Sequence, residues 1–318
     1  MSATPHGSTL TKPTLIEAAK AFAASAKAKN TRKAYRADWR TFTAWCGKHD
    51  AAPLPAMPET VALYLTHRAT TGAKASSIAR ALVAISQAHQ LAGHVSPRSS
   101  PMVREVMKGI RRQLGSAKRQ AKPLLPRDLR ELLSILPASL IGIRDRALLV
   151  IGFAGALRRS ELVGLNAEDL QFESDGLKVT LRRSKTDQEG HGRVVGVPPG
   201  AHPETCPVRA MRAWLDAATI TSGPVFREVT RHGKLGTTRL NDRSVVKVIK
   251  RRCHEAELDP RGFSGHSLRA GLVTAAAKAR KSVASIQRQT GHRSVAMVNE
   301  YVRAAGVFDD NAFSGLDL

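Results

Sequence analysis

Four short stretches of this 318-residue chain carry side chains suited to breaking a phosphodiester bond. They are Leu157-Arg158-Arg159-Ser160-Glu161, Ser184-Lys185-Thr186, His266-Ser267-Leu268-Arg269, and Gly291-His292 followed nine residues on by Tyr301. As a phosphorus becomes five-coordinate, its non-bridging oxygens need positive charge, and arginine supplies it through a fixed, bidentate fork. Arg158 and Arg269 are the candidates. His266 lies three residues before Arg269, a helical spacing that aims both at one phosphate. Glu161, three after Arg158, can hold that guanidinium by an ion pair. Tyr301 is the candidate nucleophile: attack on phosphorus gives a phosphotyrosyl enzyme that keeps the bond energy for rejoining. A phenol is ordinarily protonated at neutral pH, so it needs a base and a cationic surrounding. His292 can donate to the phosphate, and Gly291 lets the backbone come close. Lys185 can protonate the departing 5′ hydroxyl. Taken singly, each has an ordinary reading: a solvated arginine, an exposed ion pair, a packed tyrosine.

The elements that must position these residues are mostly helical. Residues 1–13, rich in Ser, Thr and Pro, read as disordered. From Thr14 to residue 116 the periodicity predicts helices at Ile16–Ala28, Thr31–His49, Pro58–Thr70, Ala75–Ala92 and Pro101–Leu114, with Gly72 and Gly93 as stops. Residues 117–125 hold turn formers and charge without apolar periodicity, which is the pattern of a linker. The second domain, 126–318, is predicted helical at Arg127–Leu136, Ile143–Ala154 and Arg158–Leu165. Then Leu177–Leu181 and Arg193–Val197 alternate as a β-hairpin with Lys185 toward its turn. Helices follow at Val208–Thr219, Asn241–Glu257, His266–Lys278, Ser282–Thr290 and Ser294–Arg303, and a tail closes the chain. Tyr301 shares an apolar stripe with Val295, Val298 and Val302.

Composition points to a polyanionic partner. Lys and Arg number 50 against 26 Asp and Glu, a net charge of +24. Up to residue 116 they number 17 against 5, so the smaller domain is the more densely basic. Aromatic residues make up only 4%, which argues against single-strand stacking platforms and for a duplex. No apolar stretch is long enough to span a bilayer, and Met1–Leu10 lacks the form of a signal peptide. Cys46, Cys206 and Cys253 are odd in number and lack zinc spacing, which fits reduced thiols in a cytoplasmic protein and no bound metal.

In this order, the four motifs resemble the tyrosine recombinases, or phage integrase family, over essentially the whole chain from Thr14. Arg158, Lys185, His266, Arg269, His292 and Tyr301 match that family's catalytic positions, and Glu161 a supporting one. Ala44-Trp45-Cys46, Ser264-Gly265-His266-Ser267 and Met297-Val298-Asn299-Glu300-Tyr301-Val302-Arg303 are similar to its Cre-like, two-domain members. His292 stands where Cre carries tryptophan. Arg159 occupies a position usually apolar or small, and the spacing to Glu161 favours Arg158 over it as the site arginine.

The resemblance implies a mainly α fold with a small antiparallel β-sheet in the catalytic domain, arranged as a two-domain, C-shaped DNA clamp. Its first domain, 14–116, would be a SAM-like core-binding domain. It further implies cleavage and rejoining of duplex DNA through a 3′-phosphotyrosine and a Holliday junction, without metal, ATP or other cofactor. The expected substrate is double-stranded DNA with inverted-repeat core sites. Monomers or weak dimers would assemble into a homo-tetramer on synapsed DNA, linked by C-terminal tails. The short stretch before the first helix leaves no room for an added arm-binding domain. A bacterial, plasmid or phage origin and a nucleoid-associated place follow. The alternatives are a type IB topoisomerase-like enzyme and a DNA-binding protein that keeps the fold without the chemistry. Candidate DNA contacts are Arg32, Lys33, Arg36, Arg80, Arg239 and Arg243.

Overall fold

The computed structural model describes residues 14, 15, 17, 22, 27–115, 121–182, 192–292 and 294–305. The expected disordered stretch 1–13, Lys185, and residues 306–318 lie outside them. The chain divides into two compact units, Met1–Arg119 and Gln120–Leu318.

In the first unit, α1 (Lys29–Lys48), α2 (Pro58–Thr70), α3 (Ala75–Leu91) and α4 (Pro101–Leu114) enclose one core. Pro58 and Pro101 open their helices, where a missing N–H leaves no bond unmade. Gly72 and Gly93 take left-handed φ just past α2 and α3, as helix stops require. Phe42, Tyr64, Leu65, Ile78, Ile85 and Val103 are fully buried. Buried His89 ties the loop before α2 to α3: its Nε2 accepts from the Ala56 N–H at 2.8 Å, and its Nδ1 donates to the Ile85 carbonyl at 2.8 Å.

The second unit is built around α6 (Leu140–Ala154), whose residues from Ala147 to Gly152 are all buried. Against it and around it lie α5 (Pro126–Ser134), α7 (Arg159–Gly164), α8 (Pro207–Ala217), α9 (Asp242–Glu255), α10 (Ser267–Lys278), α11 (Val283–Thr290) and α12 (Val295–Ala305). The expected hairpin is present as β2 (Gly176–Leu181) and β3 (Arg193–Val197), antiparallel with Leu181 opposite Arg193. Two features were not expected: a third strand, β1 (Leu170–Glu173), beside β2, and a ribbon of β4 (Arg227–Val229) and β5 (Leu235–Arg239). The ribbon strands are short and largely polar, so alternation gives them no signal, and β1, Leu-Gln-Phe-Glu, alternates over only four residues.

The segment expected as a linker, 117–125, is corrected from Ala121 onward. The Lys122 N–H donates to the Gly262 carbonyl, and the Leu124 N–H to the Ser267 carbonyl, each at 2.9 Å. Leu124 is fully buried. Gly271 permits this: a Cβ there would stand 1.9 Å from the Leu124 carbonyl oxygen. This stretch is thus fastened along α10, the helix that carries Arg269.

Candidate active site

The first arginine box is a turn that caps a helix. Arg158 is the residue before α7, and the Glu161 carboxylate reaches back to accept its backbone N–H at 2.9 Å through Oε2. Oε1 of the same carboxylate accepts from Arg158 Nη1 at 2.5 Å. The spacing of three therefore serves both cap and ion pair. Arg159, the neighbouring arginine, turns away to pair with Asp242 at 3.0 Å and stays 46% exposed, against 11% for Arg158. Arg158 is the arginine that enters the site.

Ala156 in this box has φ +47°, a left-handed value unusual for a residue with a Cβ and costing about 1–3 kcal/mol. The turn has a use. The Ala156 carbonyl accepts from Arg269 Nη1 at 2.7 Å, so the first box holds the second. Arg269 is buried in the first turn of α10, and burial together with Arg158 lowers its pKa to about 10. His266, which caps α10, is exposed.

His292 follows α11 across Gly291, whose φ of +64° supplies the left-handed helix end. Its imidazole is buried, and its Nδ1 lies 2.9 Å from Thr290 Oγ1. That hydroxyl has one hydrogen, which it donates to the Ile286 carbonyl at 2.7 Å. It therefore accepts from His292, fixing the Nδ1–H tautomer and leaving the Nε2 lone pair as an acceptor. Burial first, then Arg269, Arg158 and Arg193, push the His292 pKa down to about 4. The expectation that His292 donates to a phosphate thus requires it first to gain a proton. The Tyr301 ring lies 6.4 Å from the His292 ring at an interplanar angle of 27°. α12 is seated by Val298, fully buried with Val273 and Ile286, and Tyr301 packs at the edge of that cluster, half-buried.

Arg193 was not anticipated. It opens β3, faces the same way as buried Val195 and Val197, and reaches Glu161 Oε2 at 3.8 Å from Nη2. A charged residue on the inward side of an alternating strand was the signal available in the sequence. Among the described residues, the buried side-chain nitrogens and oxygens with no hydrogen-bond partner are Trp45 Nε1, Arg193 Nη2 and Arg269 Nη2. Two of these three belong to this site.

The structure thus brings together Arg158, Glu161, Arg193, Arg269, His292 and Tyr301. Lys185 falls outside the described residues, between β2 and β3, which are described. Of the candidate DNA contacts, Arg32, Lys33 and Arg36 are exposed on α1, and Arg243 is exposed on α9. Arg80 and Arg239 are exposed as well, and Arg80 makes two bonds to Asp38, at 2.7 and 3.1 Å. Arg239 donates to the Val163 and Leu165 carbonyls and to Asn166, and so buttresses the end of α7. Among the described residues no group of three or more His, Cys, Asp or Glu is placed to hold a metal ion, and no helix is long and apolar enough to cross a membrane.

Residues 122–306 match the phage integrase family, and residues 21–94 match the phage integrase N-terminal SAM-like domain. An integrase/recombinase xerD homolog of Selenomonas ruminantium is 42% identical over 292 residues, which is 91% of this chain and 85% of that protein. Recombinase cre of Escherichia phage P1 is 25% identical over 283 residues, 83% of this chain and 81% of that protein. A lambda integrase dimer bound to a COC′ core site superposes with a TM-score of 0.60 at 18% identity, covering 91% of this chain and 93% of that one. At that identity the likeness is one of fold.

Proposed function

The chain belongs to the phage integrase family of tyrosine recombinases, and on that premise we propose that it cuts and rejoins duplex DNA through Tyr301. The observation that carries this reading is the meeting of three guanidinium groups, one neutral imidazole and a tyrosine, with two buried guanidinium nitrogens left without a partner. Arg158 and Arg269 hold the non-bridging oxygens of the scissile phosphate. The Tyr301 oxygen attacks phosphorus, the bond to the 5′ oxygen breaks, and a 3′-phosphotyrosine forms. Lys185 gives the departing 5′ oxygen its proton. Burial and then the neighbouring guanidinia keep His292 neutral; the incoming phosphate offsets the guanidinia, so Nε2 takes up a proton as Tyr301 loses one, and the imidazolium then donates to a non-bridging oxygen. His266, at the head of the Arg269 helix, contacts the same phosphate. No ATP enters these steps, because the phosphodiester energy is kept in the phosphotyrosyl bond, and the guanidinium groups supply the positive charge that a metal would otherwise bring.

Exchange of two strands in turn, through a Holliday junction, makes this recombination rather than relaxation. The substrate is duplex DNA with inverted-repeat core sites, bound by a homo-tetramer that forms on synapsis. An apolar cavity of about 500 Å³ lined by Leu129, Val150, Phe153, Leu272 and Ile286 suits the apolar tail residues Val307, Phe308, Phe313 and Leu316 of a neighbouring protomer. Deleting residues 306–318 will then impair synapsis more than binding to one site; unchanged recombination would contradict the tail's role.

The test of the main reading is covalent capture. The full chain and its Tyr301→Phe variant are incubated with a library of nicked duplexes, and protein joined to DNA is isolated under denaturing conditions and its DNA sequenced. Adducts at one inverted-repeat sequence, formed only with Tyr301 present, are the expected result. Tight duplex binding with no adduct would point to a DNA-binding protein without the chemistry.

A further inference from the structure

Arg193 touches both halves of the site. Its Nη2 lies 3.8 Å from Glu161 Oε2, on the carboxylate that also holds Arg158. Its Nη1 donates to the Gln289 carbonyl at 3.0 Å, on the helix that ends at Gly291 and His292. Gly291 gives it passage: a Cβ there would stand 2.9 Å from Arg193 Nε. Gln289 closes the strap from its own side, donating through Nε2 to the Gly196 carbonyl of β3 at 3.1 Å and to the Ala154 carbonyl at the end of α6 at 2.7 Å. The guanidinium is therefore shared between α7 and α11, and it is mounted on a strand rather than a loop. Desolvation lowers its pKa, so holding it charged there is costly, and Glu161 meets part of that cost.

The local charges agree with this placement. Arg158, Arg193 and Arg269 are positive, Glu161 is negative and His292 is neutral, which leaves an excess of positive charge in a water-poor site. A phosphodiester gains negative charge as it becomes five-coordinate, and preset charges of the opposite sign stabilise that state most.

We propose that Arg193 is a positioning residue of the cleavage reaction, one that fixes Arg158, through Glu161, and the His292 segment, through Gln289, in a single frame about the scissile phosphate. The inference rests on the recombinase reading above. It concerns a residue that acts through its neighbours, so its loss falls on the chemical step and not on DNA capture. A mere packing role would instead lower stability and leave the rate of the folded protein untouched.

The experiment uses the full chain and a nicked duplex carrying the sequence captured by the wild type, and it follows single-turnover adduct formation at saturating DNA. Expected for Arg193→Gln is a rate at least tenfold below wild type with DNA affinity changed less than twofold. Arg193→Lys, which keeps the charge and the long stem, gives an intermediate rate and carries the same test should the Gln variant fail to fold. In the Glu161→Gln background the Arg193 substitution adds much less than it does alone, because both act on Arg158. An Arg193→Lys or Arg193→Gln rate within twofold of wild type, a loss confined to DNA affinity, or full additivity with Glu161→Gln overturns the proposal. Those results presuppose wild-type adducts; their absence would instead remove the recombinase reading on which the inference rests.

Discussion

Two buried carboxylates in the second unit are each ringed by arginines, and they differ in what is left unpaired. Asp145 accepts from Arg144 at 2.6 and 3.1 Å, from Arg251 at 2.7 Å and from Arg252 at 2.6 and 2.9 Å. Arg252 also reaches Glu255 at 2.7 Å. No buried nitrogen of that knot lacks a partner. Glu161 sits among Arg158, Arg193 and Arg269, and there Arg193 Nη2 and Arg269 Nη2 remain without one. A saturated cluster joins α6 to α9 and asks for nothing more. An unsaturated one holds buried positive charge in readiness for an anion, and the tyrosine stands beside it.

Substitutions separate the two clusters, and the largest effect falls at the nucleophile. Tyr301→Phe abolishes the covalent adduct on a denaturing gel while a mobility-shift assay still shows duplex binding. Next is Arg269→Gln, which lowers the rate of adduct formation by about 10²–10³, the usual cost of removing one charge-stabilising donor. Asp145→Asn acts on stability instead. It costs about 3–5 kcal/mol in denaturant unfolding, as removing one partner of a buried ion pair does, yet the folded fraction cleaves at the wild-type rate. If Asp145→Asn proved selectively inactive when folded, the division between a structural knot and a reactive cluster would fail.

The smallest effect is a pH dependence. His292 has its pKa lowered from 6.5 to about 4 in the folded protein, so between those values the unfolded chain binds a proton that the native site refuses. The His292 contribution to the stability of the DNA-free protein therefore falls as pH drops from 6.5 toward 4, and levels off below that. His292→Gln removes that part of the acid slope, measurable as melting temperature against pH beside the wild type. An unchanged slope would mean that His292 is not held neutral by its surroundings.

Which parts of this were legible in the sequence follows from the range over which each residue finds its partner. Arg158 and Glu161 meet within one turn, Gly72 and Gly93 end their helices, and Tyr301 rides an apolar stripe with Val298; each is a local rule. From sequence Arg193 is only the start of a strand, because its partners, Glu161 and Gln289, lie far along the chain on other elements. Arg239, a candidate DNA contact by its charge, also holds the Val163 and Leu165 carbonyls, which nothing near it in sequence announces. Residues 121–125 read as a linker because their partners, the Gly262 and Ser267 carbonyls, are more than a hundred residues away. The short polar strands β4 and β5 lack the apolar alternation that marked β2 and β3, and β1 carries it over only four residues.

The most direct test of the central claim, that the unsaturated arginine cluster is a DNA-cleaving site built around Tyr301, is to map the point of attachment. Wild-type protein is trapped on its captured duplex, digested, and the nucleotide-bearing peptide sequenced by mass spectrometry. A single modified peptide with the 3′-phosphate on Tyr301 is the expected result. A nucleotide carried by any other residue, or strand cleavage with no residue modified, would contradict it.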